Sequence, residues 1–116
     1  MSKIKSKGKP ESKVLKECLE YLRMRGIFAF RNNSGAVKMG KSFVRFGMPG
    51  SSDILGILPN GQFLAVECKK ENGGILSDKQ VEFLNRIKEN GGVAVVVHSV
   101  NELEKIITSI FTHTIV

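Results

Sequence analysis

The chain has 116 residues, of which 41% are hydrophobic, and it carries a net charge of +7. That length and apolar content suit one packed domain and exclude a disordered protein. Apolar runs such as 93–97 are too short to cross a bilayer, and the N-terminal residues lack the layout of a signal peptide. Cys18 and Cys68 make no disulfide framework, so we expect a reducing, cytoplasmic setting.

The charge is distributed unevenly along the chain. Residues 1–49 carry +9, whereas residues 50–116 carry −2. This asymmetry favours a polyanionic partner, although lysine also serves simply to keep a domain soluble. Lysine occupies every second position from residue 3 to residue 9, which predicts a flexible basic arm over 1–9 and a single domain over 10–116. The arm has no apolar face, so we expect no membrane partner.

The first half of the chain predicts one helix and short strands. Apolar residues recur at helical spacing over 11–25. Residues 27–30 switch to strand-forming side chains and end at an Asn-Asn-Ser-Gly turn. Residues 43–46 are a second strand candidate inside a loop-rich region marked by glycines. Apolar runs over 54–58 and 63–68 then predict a hairpin.

The second half predicts a strand between two helices. Ser77 and Gln80 have the spacing of a capping box that opens a helix, and Ser99 and Glu102 repeat this spacing before the last helix. The all-apolar strand over 93–98 between them is expected to be buried on both faces. A strand-helix-strand crossover makes the sheet mixed. We therefore predict an α/β fold with a mixed sheet flanked by helices, in the order α-β-β-β-α-β-α.

The length of the hairpin turn decides which side chains share a face of the sheet. A two-residue Asn60-Gly61 loop would set Asp53 opposite Cys68, whereas a three-residue loop that includes Pro59 would set Asp53 opposite Glu67. We predict the three-residue loop, because proline suits the first turned position and glycine supplies the positive φ that closes the turn. Strand spacing of about 4.8 Å then places both carboxylates within reach of one cation.

Asp53, Glu67 and Lys69 form the constellation that carries chemistry. Glu67 and Lys69 share a face because they are two residues apart on one strand. The alternation of side chains predicts that the apolar neighbours on this face are buried, namely Leu55, Ile57, Phe63 and Ala65. Charged side chains among buried apolar residues are costly, which indicates a functional role. Two neighbouring carboxylates repel each other unless a cation lies between them, and their oxygen ligands favour Mg²⁺ or Mn²⁺. Lys69 beside that ion is placed to orient or deprotonate the attacking water. The alternative is a surface Glu67–Lys69 ion pair beside a loop aspartate.

These residues resemble a known pattern. Asp53 followed by Glu67-Cys68-Lys69 matches the D…(D/E)-x-K signature of the PD-(D/E)XK nuclease superfamily. Over about residues 11–98 the chain resembles, more narrowly, the VRR-NUC (virus-type replication-repair nuclease) family, through the segments 50–54, 66–69, 74–77 with Gln80, and 91–92. Ser52 stands where that family usually has proline.

The resemblance implies a PD-(D/E)XK nuclease fold and a metal-dependent, structure-selective DNA endonuclease. Stand-alone members are similar to Holliday-junction resolvases, which implies branched DNA as substrate and a homodimer. Asp53, Glu67 and the backbone carbonyl of Cys68 would hold the ion, and Lys69 would be the catalytic lysine. Gln80 would form a hydrogen bond within the site. From the residues alone, an equally good role for Gln80 is to complete the capping box with Ser77. The competing functions are a flap or general nuclease and a non-catalytic DNA-binding module.

The superfamily also carries a glutamate on the first helix. Among Glu11, Glu17 and Glu20, helical phase places only Glu11 with the apolar stripe, so we expect Glu11 to be a further metal ligand. Its alternative role is an acidic residue favoured in a first turn by the helix dipole.

Candidate DNA contacts follow the first strand and occupy the glycine-rich region. Their donors could hold phosphate oxygens, which position a substrate without reading its sequence. They are Arg31, Asn33, Ser34, Lys38, Lys41 and Arg45. The alternative for the lysines is a solvated loop. No base-reading helix is evident, so we expect recognition of DNA shape.

Overall fold

The computed structural model describes residues 8–114, with side-chain surroundings for residues 8–112. The basic arm predicted over 1–9 therefore lies outside the described residues except for Gly8 and Lys9. The helices and strands, in chain order, are α1 Glu11–Met24, β1 Phe28–Arg31, β2 Gly35–Met39, β3 Ser42–Phe46, β4 Ile54–Ile57, β5 Phe63–Cys68, α2 Asp78–Glu89, β6 Val93–Val97 and α3 Val100–Thr114.

Four strands form the central sheet in the order β1-β4-β5-β6. The first two pairings are antiparallel, whereas β5 and β6 are parallel and connected through α2. Helices α1 and α3 cover one face, where their apolar side chains pack with those of the sheet around Val66. Helix α2 lies on the other face, where Leu84 packs against Ala65 and Ala94. The predicted mixed α/β fold and its order α-β-β-β-α-β-α are confirmed for these elements.

The register of the central hairpin is the one that the three-residue loop predicts. Ile54 lies opposite Val66 and Ile57 opposite Phe63, and the Leu58 N–H donates to the Gln62 carbonyl at 2.9 Å. Gly61 closes the turn at a φ of +91°, a conformation that glycine adopts without steric cost. The same register, continued by one step, places Asp53 opposite Glu67.

Strands β2 and β3 are a difference from the prediction. The loop-rich region contains a complete antiparallel hairpin, and only its second strand was expected. Within the described chain this hairpin pairs with no strand of the central sheet, and all ten of its residues are exposed. Its first strand carries Gly35 and Lys38, which are weak strand formers, so its pattern did not stand out.

Two further predictions need correction. Strand β6 is an edge strand, so three of its five residues are half-buried although helices cover both its faces. The second capping box is incomplete: Ser99 Oγ accepts from the Glu102 N–H at 3.2 Å, but the Glu102 carboxylate accepts from the His98 N–H at 2.7 Å instead of from Ser99. The first box is complete, because Ser77 and Gln80 bond each other reciprocally. No helix in residues 8–114 is long and apolar enough to cross a membrane.

Candidate active site

Three carboxylates from distant parts of the chain meet at one end of the central sheet. Glu11 starts α1, Asp53 immediately precedes β4, and Glu67 is the penultimate residue of β5. One oxygen from each lies within 4.8 Å of the other two. Glu11 is exposed, Asp53 half-buried and Glu67 buried, so the cluster opens to solvent on the side of α1. Of the other first-helix candidates, Glu17 is instead ion-paired with Lys9 at 2.9 Å.

Asp53 is fixed on both of its sides. Its Oδ2 accepts a hydrogen bond from the Cys68 N–H at 2.8 Å. Its backbone carbonyl accepts from the Asn32 N–H at 2.7 Å. The Asn32 side chain also donates to Ser51 Oγ at 2.7 Å and to the Ser52 carbonyl at 2.9 Å. The loop that carries Asp53 is therefore tied to the end of β1, and the carboxylate to β5.

Asn32 and Ser51 are positioning residues that sequence reasoning missed. Asn32 follows β1 directly, next to the candidate phosphate contacts Arg31 and Asn33, but its amide is directed at the Asp53 loop. Ser51 completes the tie, because its hydroxyl donates to the Met48 carbonyl at 2.7 Å. Short polar side chains beside turns often form hydrogen bonds with nearby backbone groups, and the sequence around Asn32 and Ser51 has this character.

Glu67 is a buried acid without full compensation. Its side chain is 1% exposed, and Oε1 has no hydrogen-bond partner among the described residues. Burial, followed by the nearby Asp53 carboxylate, raises the pKa of Glu67 from 4.5 to about 8. Lys69, whose Nζ lies 3.6 Å from Glu67 Oε2, lowers that pKa only in part. The free acid is thus poised to ionise when further positive charge arrives.

Lys69 and Gln80 complete the polar network around Glu67. Lys69 is 7% exposed, and its Nζ donates to Gln80 Oε1 at 3.2 Å. Gln80 Nε2 donates to Glu67 Oε2 at 2.9 Å. The same Gln80 Oε1 accepts from the Ser77 N–H at 2.9 Å. The two roles considered for Gln80 are therefore compatible, because one side chain caps α2 and joins the site together.

Cys68 contributes its backbone rather than its thiol. Because the N–H and C=O of a strand residue point to the same neighbouring strand, the Cys68 carbonyl faces β4 together with the N–H that holds Asp53. The thiol is buried on the opposite face, where a hydrogen bond with Cys18 and burial raise its pKa. Both cysteines are core residues, as expected.

The residues present fit a divalent cation. The cluster offers three carboxylate oxygens, and the Cys68 carbonyl is the further ligand that the sequence predicts; a donor set made only of oxygen suits hard ions such as Mg²⁺ or Mn²⁺. Glu67 Oε1 is buried without a partner, which is the condition that a bound cation would relieve. Glu11, exposed at the rim, leaves the cluster accessible to solvent and substrate.

The side chains beside the site are less buried than the pattern indicated. Ala65 is buried and Leu55 half-buried, but Ile57 and Phe63 are 48% and 41% exposed. The prediction was wrong for these two residues because they pair with each other next to the hairpin turn, beyond the cluster in which α2 packs Leu84 against Ala65 and Ala94.

The candidate DNA contacts are all exposed but do not share one face. Lys38 and Arg45 lie on one side of the β2–β3 hairpin, and Lys41 lies in its turn. Asn33 and Ser34 lead into the hairpin. Arg31 alternates with Phe30 on β1, which places it on the α1 side of the sheet, opposite the carboxylates. The hairpin leaves the sheet at the same end as the carboxylate cluster.

A mixed sheet with helices on both faces, an aspartate before one strand and a Glu-x-Lys at the end of the next define a PD-(D/E)XK-like nuclease fold. The family model for the VRR-NUC domain matches residues 41–101, which is just over half of the chain, so the chain belongs to this family. It is similar to a solved structure described as "VRR_NUC domain", at 26% identity and a TM-score of 0.60, covering 87% of this chain and 97% of that one. No curated protein matches the chain. The family implies a nuclease-type function with DNA as substrate.

Proposed function

We propose that this protein is a Mg²⁺- or Mn²⁺-dependent, structure-selective DNA endonuclease that hydrolyses phosphodiester bonds at four-way junctions. The observation that carries the proposal is the carboxylate cluster of Glu11, Asp53 and Glu67 beside the buried Lys69. The family supplies the nuclease class, and the cluster supplies a place for the ion. Cleavage of a junction by two paired sites requires a homodimer. We place the protein in the cytoplasm of a bacterium or of a virus-infected host cell.

Each residue of the site has a defined part in this proposal. Asp53, Glu67 and the Cys68 carbonyl hold the ion, and Glu11 is a further ligand at the rim. A divalent ion there supplies positive charge that acidifies water and polarises the phosphodiester. Lys69 Nζ, held by Gln80, donates to the attacking water or to a phosphate oxygen. Gln80 keeps that ammonium aligned with Glu67.

The basic residues hold the DNA backbone. Lys38, Lys41 and Arg45 extend the positive surface of the hairpin, and Asn33 and Ser34 add polar donors at its base. Arg31, on the other face of β1, would reach only DNA that wraps around the edge of the sheet. Such contacts read backbone geometry, so we expect preference for a DNA shape rather than a sequence.

The test is cleavage of a labelled four-way junction, a flap and a plain duplex at one salt concentration, with Mg²⁺, with Mn²⁺ and with chelator. We expect the junction to be cut fastest and only with metal. Asp53→Ala, Glu67→Ala and Lys69→Ala should each reduce cleavage at least about 100-fold while the junction is still bound. The control Asp78→Ala removes an exposed carboxylate outside the cluster. Undiminished cutting by the Asp53 variant would exclude this site, and binding without cutting by wild type would indicate a non-catalytic module.

A further inference from the structure

The first turn of α1, which carries Glu11, is not held by a capping side chain. Pro10 is the N-cap residue, and it forms no side-chain hydrogen bond to the helix. Residues 10–13 are exposed, so the packing of α1 against the core begins only at Val14. A helix end whose backbone groups lack partners is prone to fray. The position of Glu11 therefore depends on what holds the chain just before the helix.

The segment before α1 is attached to the chain that leaves β5. The Lys9 N–H donates to Glu71 Oε1 at 3.1 Å, and the Glu71 N–H donates to the Lys9 carbonyl at 3.0 Å. We name this reciprocal pair of hydrogen bonds the Lys9–Glu71 clasp. Lys9 is two residues before Glu11 in the chain. Glu71 is four residues after Glu67, so the clasp joins the segments that carry two of the three carboxylates.

The clasp is anchored on the side of β5. Backbone bonding to β6 continues past the end of the strand, because the Lys69 N–H donates to the Val97 carbonyl at 2.9 Å. The chain then returns toward Lys69 at Gly74, where a Cβ would lie 3.0 Å from Lys69 Cβ. Glu71 thus lies in a short segment that is held at both of its ends, although its own side chain is exposed. It is a defined point of attachment for the chain before α1.

Gly8 allows the chain before α1 to approach Glu71 this closely. A Cβ on Gly8 would lie 2.9 Å from Glu71 Oε1 and 2.8 Å from Asn72 Nδ2, and the backbone has a φ of +72°. Glycine adopts this conformation without steric cost. On the helix side, the Lys9 ammonium is ion-paired with Glu17, in the second turn of α1, at 2.9 Å. Lys9 therefore connects the exit of β5 to the helix through its backbone and its side chain together.

The carboxylate cluster needs such an attachment because its members repel each other. One oxygen each of Glu11, Asp53 and Glu67 lies within 4.8 Å of the other two. Asp53 is fixed by its hydrogen bond from Cys68, and Glu67 is fixed by burial. Glu11 is exposed at the start of a helix, so repulsion between like charges would displace it first unless its backbone is held.

We propose that Glu71 is a positioning residue, which holds Glu11 within reach of a divalent cation by fixing Lys9. The inference rests on the proposed function for the presence of the ion, and it adds a residue outside the carboxylate cluster. Glu67 Oε1, buried without a partner among the described residues, indicates independently that a cation belongs there. Because Glu71 Oε1 already accepts from the Lys9 N–H, Glu71 acts on the ion through Glu11 and not as a ligand.

The experiment is Mn²⁺ binding in the absence of DNA, measured from the free-ion signal in electron paramagnetic resonance. Glu71→Ala removes one half of the clasp and should weaken Mn²⁺ binding about tenfold. Glu71→Gln retains an oxygen that accepts from the Lys9 N–H, so its affinity should stay close to that of wild type. The control Glu104→Ala removes an exposed carboxylate on α3 and measures the effect of the lost charge alone. All three variants change exposed side chains, so we expect them to fold.

A double-variant cycle separates this positioning role from a general effect on stability. If Glu71 acts through Glu11, adding Glu71→Ala to Glu11→Ala should not weaken Mn²⁺ binding further, whereas independent effects would multiply. Hydrogen exchange of the metal-free protein supplies a structural measurement. The Lys13 and Val14 amides, which both donate to the Pro10 carbonyl at 3.1 Å, should exchange faster in Glu71→Ala but not in Glu71→Gln.

Several results would overturn the inference. They are an unchanged Mn²⁺ affinity in Glu71→Ala, equal losses in Glu71→Ala and Glu71→Gln, a double variant weaker than Glu11→Ala alone, and unchanged exchange of the two amides. A wild type that binds Mn²⁺ through this cluster but cuts no DNA would end only the proposed function, since these measurements use no DNA. Metal-dependent cleavage by a wild type whose Mn²⁺ affinity Glu71→Ala does not alter would end only this inference. A wild type that binds no Mn²⁺ would overturn both.

Discussion

Gln80 Nε2 donates a hydrogen bond to Glu67 Oε2 at 2.9 Å, across the junction between the first turn of α2 and the end of β5. The other end of the same amide accepts from Lys69 Nζ and from the Ser77 N–H. The start of the helix and the charged end of the strand are therefore positioned by one side chain. The stability of the helix and the alignment of the site are coupled, and substitutions can separate them.

Replacing Gln80 and Ser77 one at a time distinguishes the two roles. Ser77→Ala removes the N-cap oxygen and leaves Gln80 with both of its site partners, so we expect a loss of about 1 kcal/mol in unfolding free energy and little change in cleavage. Gln80→Ala also releases Lys69 and Glu67, so kcat should fall at least about tenfold. Chemical denaturation and single-turnover cleavage measure the two effects. Equal losses of activity in the two variants would contradict the separation.

The raised pKa of Glu67 predicts how stability depends on pH and metal. Between 4.5 and about 8 the folded protein holds a proton on Glu67 that the unfolded chain has released. The metal-free protein therefore loses stability as pH rises through this interval. A bound cation favours the ionised carboxylate, so the rise in Tm on adding Mg²⁺ should grow with pH.

The measurement is thermal unfolding at several pH values, with chelator and with Mg²⁺. Glu67→Gln cannot ionise, so its metal-free Tm should lack this dependence on pH and its response to Mg²⁺ should shrink. Parallel profiles for the variant and wild type would show that another group titrates.

The Asp53 loop is held against α2 at Gly50. A Cβ at this position would lie 2.5 Å from the Lys79 carbonyl oxygen, and the backbone has a φ of +82°. Gly50→Ala should therefore destabilise by about 2–3 kcal/mol, from strain and steric overlap together, and should lower kcat by moving Asp53. Gly26→Ala is the matched control, since Gly26 has a φ of +74° but nothing within 4 Å. Similar losses in the two variants would show that only the strain matters.

Two adjacent serines should respond in opposite directions. Ser52 is fully buried, and its Oγ has no partner among the described residues, so Ser52→Ala should be neutral or stabilise by up to about 1 kcal/mol. Ser51→Ala removes bonds to Asn32 and Met48 and should cost about 1–2 kcal/mol. Denaturant midpoints of the two variants decide this. A marked destabilisation by Ser52→Ala would mean that its hydroxyl has a bonding role.

The basic residues of the β2–β3 hairpin and its turn should determine the salt dependence of DNA binding. A triple variant, Lys38→Ala with Lys41→Ala and Arg45→Ala, should flatten the slope of log affinity against log salt by up to about 3 and weaken binding to all DNA forms alike. A triple variant on the helices, Lys13→Ala with Lys16→Ala and Lys105→Ala, removes equal charge from exposed positions elsewhere. Fluorescence anisotropy over a salt series gives both slopes. Equal slopes would place the DNA elsewhere.

Local patterns predicted the elements that form the framework, and they did so for physical reasons. The Pro-Asn-Gly turn determined the register of β4 and β5, and with it the placement of Asp53 opposite Glu67. Helical phase selected Glu11, which the structure brings to the cluster. The β2–β3 hairpin was missed in part because its strands have no buried face, and a strand pattern depends on one.

Other features depend on tertiary packing that no local pattern contains. The exposure of Ile57 and Phe63 follows from their place beyond the cluster in which α2 packs, and neither strand records this. The tie from Asn32 to the Asp53 loop joins residues about twenty positions apart. The double use of Gln80 could be predicted only as two alternatives, because its partners on β5 are brought close by the fold.

The three carboxylates come from the first helix, the middle of the chain and the strand after it. An ion that binds all three would act as a noncovalent cross-link that closes two consecutive chain loops, 11–53 and 53–67. Such a link forms only when α1, β4 and β5 have already assembled, so it would slow unfolding more than it speeds folding. Binding of the ion would then also indicate that the chain has folded, because a fragment that lacks α1, β4 or β5 could not bind the ion with all three carboxylates.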